Sequence, residues 1–92
     1  MDLLTEAAAD AAGCVVSHRE TVPVLETFRG ETVWKGVVEV FDVATPPPDC
    51  VYAWAVKADK GPQYVAVLGG GRIDSPLAAV RAWLVTQASE SR

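Results

Sequence analysis

Basic residues are scarce in this chain. Of 92 residues, eight are Lys or Arg against twelve Asp or Glu, a formal charge of −4. Arg19, Arg29, Lys35, Lys57, Lys60, Arg72, Arg81 and Arg92 are scattered along the sequence, and without a basic stripe the chain repels phosphate backbones. Nucleic acid is therefore disfavoured as a partner. Metal-binding side chains are equally thin. His18 is the only histidine and Cys14 and Cys50 the only cysteines, and together with Asp49 they lack the paired spacing of a metal site. No metal and no cofactor are expected. Long apolar runs are missing as well, since nothing approaches the roughly 20 residues of a membrane span, and the N-terminus has no basic flank followed by an apolar stretch. A cytoplasmic protein with no membrane partner is the reading, with both cysteines reduced.

Catalytic chemistry also lacks a signature. Glu39 and Asp42 stand three positions apart on a candidate strand, so they point to opposite faces and make a poor acid–base pair. A nucleophile would need Cys14 or a serine to meet the His18 ring, and nothing in the sequence indicates such a meeting. Gly69-Gly70-Gly71 followed by Arg72 lacks the lysine and hydroxyl of a phosphate-binding loop, and Asp74 opposes an anion there. It reads as a flexible strand-to-helix linker. No residue is assigned a catalytic role, and an enzyme is not expected.

What the chain does have is apolar material in strand-like stretches. Half its residues are hydrophobic, three of them Trp, enough for the core of one small domain over residues 1–92. The stretch 32–43, rich in β-branched and aromatic residues, predicts the central strand. Residues 50–58 and 63–68 predict two more, joined through the proline loop 44–49 and the turn 59–62, which makes an antiparallel meander. Residues 3–12 predict a helix capped by Asp2 and stopped by Gly13, with Leu4, Ala7, Ala8 and Ala11 as its apolar stripe. Residues 75–88 predict a second helix, opened by the Ser75 hydroxyl with Pro76 at its first position, and carrying Leu77, Val80 and Leu84 inward. Residues 89–92 read as disordered. The segment 13–31 reads as a loop or as a fourth, edge strand, with Arg29-Gly30 as a turn. The fold class is thus α+β.

Loop lengths suggest a register. Pairing Val43 with Cys50 places Phe41 beside Tyr52 and Glu39 beside Trp54, and pairing Ala58 with Gln63 places Trp54 beside Val67. One face then carries Lys35, Val37, Glu39, Phe41, Tyr52 and Trp54, a mixture of large aromatics and charge that suits a surface for a protein partner or for a homodimer. The other carries Trp34, Val38, Val40, Val51, Ala53 and Ala66 and is assigned to the helices. A slip of one residue would exchange these faces.

The order helix, three strands, helix resembles the double-stranded-RNA-binding fold. That family reads RNA with lysines at the start of its second helix, whereas Ser75-Pro76-Leu77-Ala78-Ala79-Val80-Arg81 has none, so the resemblance implies the topology without the activity. The strand 64–68 followed by the helix from Ser75 to Leu84 is similar to the end of small antitoxin domains. Beside a protein-binding or regulatory domain, the alternatives are a nucleic-acid-binding module of the three-strand, two-helix type and an acidic antitoxin or inhibitor-type protein. Val33-Trp34-Lys35-Gly36-Val37-Val38-Glu39-Val40-Phe41-Asp42, with Tyr52-Ala53-Trp54, is similar to small uncharacterised bacterial proteins and implies kinship only.

Overall fold

A computed structural model of the chain describes residues 3–90, and side chains within 3–87. The order is α1 (Leu3–Ala12), β1 (Val16–Phe28), β2 (Glu31–Val43), β3 (Cys50–Ala58), β4 (Gly61–Gly69) and α2 (Pro76–Glu90). The four strands form one antiparallel sheet in chain order. The fold is α+β, and the segment after Gly13 is a full strand. Its Ser17–Glu20 stretch is polar because those side chains are exposed to water, and Pro23 is tolerated because β1 is an edge strand, where its missing N–H is not needed. Asp2, expected as the cap of α1, lies outside the described residues. The disorder expected from Ser89 is replaced by helix through Glu90, and residues 91–92 lie outside the description.

The hairpins close more tightly than loop counting suggests. Arg29 and Gly30, both at positive φ (55° and 82°), make a two-residue turn between Phe28 and its partner Glu31, the backbone that matches strand twist. Asp59-Lys60 alone joins Ala58 to Gly61, so Trp54 faces Val65 and Tyr52 faces Val67. At the proline loop the ends bond outward. The Ala44 amide donates to the Val15 carbonyl (2.9 Å) and the Asp49 amide to the Gly69 carbonyl (3.1 Å), so Val43 pairs with β1 and the β2–β3 ladder starts at Asp42↔Cys50. Val40 thereby sits opposite Tyr52 and Phe41 opposite Val51.

This one-residue shift corrects the predicted faces. Val38, Val40, Tyr52 and Trp54 share the side covered by α2 through Ala79, Val80, Leu77, Trp83 and Leu84. Phe41, Val51 and Ala53 share the opposite side, where Leu4, Ala8 and Ala12 of α1 cover them. The helices therefore lie on opposite faces of the sheet, and the stripe of α1 ends in Ala12 while Ala11 is exposed. Ser75 and Pro76 open α2 as predicted, with the Ala78 amide donating to the Ser75 hydroxyl (3.1 Å). Gly69-Gly70-Gly71 is no loose linker. Gly70 and Ile73 exchange both backbone hydrogen bonds (2.8 and 3.0 Å), which makes a closed turn into α2. Among the described residues no helix is long and apolar enough to cross a membrane.

Candidate interaction surface

The β2–β3 ladder has only the pairs from Glu39↔Ala53 to Asp42↔Cys50, while β1–β2 and β3–β4 continue to their own turns. Beyond Glu39 the two hairpins are not paired with each other. On one side three indoles occupy this region. Trp54 lies between Trp34 (centroids 5.9 Å apart, 69°) and Trp83 (5.8 Å, 82°), each pair in the edge-to-face arrangement that suits the ring quadrupoles. Gly36 permits this, because a Cβ there would stand 2.8 Å from the indole of Trp34.

The other side is left open where α1 ends its cover. Leu25 pairs with Lys35 and Pro23 with Val37, so these four side chains project together from the α1 side of the β1–β2 hairpin. Leu25 is 56% exposed and Val37 48%. Lys35 and Pro23 are exposed, as are Ala55 and Lys57 on the same side of β3, and Glu39 is half-buried at the border with α1. Of the residues singled out from sequence, Lys35, Val37 and Glu39 are thus together on this open surface. Phe41, Tyr52 and Trp54 are not. Trp54 and Tyr52 are buried under α2 because the hairpin register is shifted, and Phe41, which keeps the face of Val37 and Glu39, is buried because α1 covers that end of the strand. Pro23 and Leu25 were not found from sequence, because their segment reads there as loop or strand alike. The β-branched residues Thr21, Val22 and Val24 were the available strand signal.

Beside the patch, Leu3, Leu4, Thr5, His18, Glu39, Phe41 and Tyr64 line a cleft of about 790 Å³ under the start of α1. His18 Nε2 is 2.7 Å from Glu39 Oε1; a carboxylate only accepts, so Nε2 carries the proton. The Thr21 hydroxyl donates to the same oxygen and lies 3.3 Å from the same Nε2. In a hydroxyl–imidazole–carboxylate relay the imidazole stands between its partners, one on each nitrogen. Here hydroxyl and carboxylate meet one nitrogen, so the arrangement ties β1 to β2 and does not activate Thr21. The His18 ring stands edge-on to Phe41 (5.5 Å, 67°).

Two further ion pairs fasten the edge strand. Arg19 is the extra residue of a bulge between His18 and Glu20, and its Nε donates to Asp42 Oδ1 (2.8 Å). Arg81 of α2 donates to Glu26 of β1, and that hydrogen bond holds the Glu26 carboxyl below its ordinary range. Cys14 and Cys50 are free thiols. Among the described residues no three His, Cys, Asp or Glu side chains gather where they could hold a metal ion. No family model, curated protein or solved structure matches this chain.

Proposed function

We propose that the chain is a small non-enzymatic protein-binding domain whose partner lies on the open sheet surface formed by Pro23, Leu25, Lys35, Val37 and Glu39. The observation that carries this reading is that two large exposed apolar side chains, Leu25 and Val37, stand as diagonal neighbours on adjacent strands of the α1 side, across the pairs Pro23↔Val37 and Leu25↔Lys35 and beyond the reach of α1. Isolated surface hydrophobes are ordinary, but a contiguous set rimmed by charge suits an interface. Lys35 and Lys57 flank the set on a chain of net charge −4, so the complementary partner is an apolar segment with acidic flanks. The reading departs from an aromatic patch and keeps Lys35, Val37 and Glu39.

The alternatives fare less well. Arg19 and Arg81 are committed to Asp42 and Glu26, which leaves still fewer cations for a nucleic-acid backbone. For an acidic inhibitor the carboxylates should share a surface, yet Glu6 and Asp10 are on α1, Glu20 on β1, Glu31 and Asp42 on β2, and Asp49, Asp59 and Asp74 in three connections. Affinity capture tests the protein-binding reading. Proteins retained by the wild type are expected to be lost with Leu25→Glu and Val37→Glu and kept with Val15→Glu, an exposed site elsewhere, all three remaining folded by circular dichroism. Equal retention by Val37→Glu and wild type would count against it.

A further inference from the structure

The two edges of the sheet are built differently. The outer edge of β1 carries three devices that keep other strands away. It has a bulge at Arg19, between His18 and Glu20, proline at position 23, and the charged residues Arg19, Glu20 and Glu26, with α2 packed along it through Glu26 and Arg81. Such features are how edges avoid unwanted pairing. β4, at the other edge, has almost none of them. Gly61-Pro62-Gln63-Tyr64-Val65-Ala66-Val67-Leu68-Gly69 contains no charged residue, its proline stands at the second position, and it pairs with β3 without a bulge from Ala58↔Gly61 to Cys50↔Gly69. Tyr64 and Leu68 are 37% and 45% exposed. With Ala66 between them they alternate on the α1 side of the strand.

We infer that β4 pairs with β4 of a second copy of this chain, antiparallel about a two-fold axis through Ala66, so that two four-stranded sheets become one of eight strands. This surface is separate from the open patch around Val37. An antiparallel edge pair is self-complementary, which is what a two-fold interface requires. Centring it on Ala66 places Tyr64 opposite Leu68 of the second copy and Val65 opposite its Val67. Each exposed tyrosine ring then covers an exposed leucine, a favourable aromatic–aliphatic cross-strand pair made twice. A centre on Val65 would set Tyr64 against Ala66 and leave Leu68 against Pro62, which covers less and offers one amide fewer. The absence of charge on β4 removes the like-charge opposition that self-pairing would otherwise meet, which matters on a chain of charge −4.

Sedimentation equilibrium of the full chain tests this. The wild type is expected to dimerise at tens of micromolar, with Tyr64→Lys and Leu68→Glu each weakening the dimer about tenfold or more. The double variant, which sets lysine against glutamate twice across the axis, is expected to regain it, and to lose it again in high salt. Circular dichroism confirms that each variant is folded. A wild type that stays monomeric overturns the inference, and a double variant no more dimeric than either single one overturns the Ala66 register. Val37→Glu is expected to leave the dimer unchanged. Its loss in that variant overturns the assignment to β4 and moves self-association to the open face.

Discussion

Trp54 packs edge-on against Trp83, with ring centroids 5.8 Å apart, and through this contact α2 is joined to the sheet where β2 and β3 have parted. Trp54 is 1% exposed, and its indole Nε1 is buried with no acceptor within reach among the described residues. The ring's contribution is therefore packing. Trp54→Ala is expected to cost about 3–5 kcal/mol, as for other large aromatics removed from a core. Trp54→Phe should cost less, because it keeps much of the volume and removes the unsatisfied N–H. Urea midpoints with a common slope would measure both. A Trp54→Ala midpoint equal to that of the wild type would show that the indole is not a core residue.

A second expectation concerns a residue with no side chain at all. A Cβ on Gly69 would run into Cys50 Sγ and stand 2.9 Å from Tyr52 Cε2, in a strand position where β4 faces Cys50. Gly69→Ala should thus overpack the site and cost roughly 1–3 kcal/mol. The same change in a Cys50→Ala background should cost less, since one of the two colliding groups has gone. Equal costs in the two backgrounds, read as a double-mutant cycle, would place the strain elsewhere.

The start of α2 gives a third. The Ser75 hydroxyl accepts from the Ala78 amide at 3.1 Å, a donor that no carbonyl earlier in the helix can reach. Ser75→Ala should cost about 1 kcal/mol, and Ser75→Asp should recover most of it. A thermal melt of the wild type and the two variants would decide, with equal midpoints for the wild type and Ser75→Ala counting against the cap.

This cap was legible in the sequence, as were both helices, the strands β2, β3 and β4, and Gly13 as the stop of α1, whose amide donates to the Ala9 carbonyl (2.8 Å). Those features are local: a hydroxyl before a proline, a glycine at positive φ, a run of β-branched residues. The faces were not legible, because side-chain direction along a strand reverses with every residue. Asp42↔Cys50 in place of Val43↔Cys50 is one position, and it was set by the Ala44 and Asp49 amides bonding to β1 and β4, partners distant in the chain. The half of the candidate surface on β2, Lys35, Val37 and Glu39, survives that shift because those residues keep their common parity. Phe41 shares it too, but α1 covers that end of the strand. Tyr52 and Trp54 have the opposite outcome, since their strand moved against β2.

Tyr52 carries the last expectation, a dependence on alkaline pH. Burial beneath α2 raises the pKa of its phenol, with the Cys50 thiol beside it adding to the effect. In the unfolded chain a tyrosine ionises near pH 10, so above that pH the unfolded state gives up a proton that the folded state retains. The folded state then binds more protons, and stability falls as pH rises. Below about pH 10 the contribution is fully present. It is lost progressively above, by up to about 1.4 kcal/mol per pH unit. Tyr52→Phe removes this group and leaves the lysines, thiols and Tyr64 to titrate in both proteins. The stability advantage of wild type over Tyr52→Phe, from urea unfolding at successive pH values, is therefore expected to shrink above pH 10. Parallel curves would show that the Tyr52 hydroxyl ionises as freely in the fold as in the open chain.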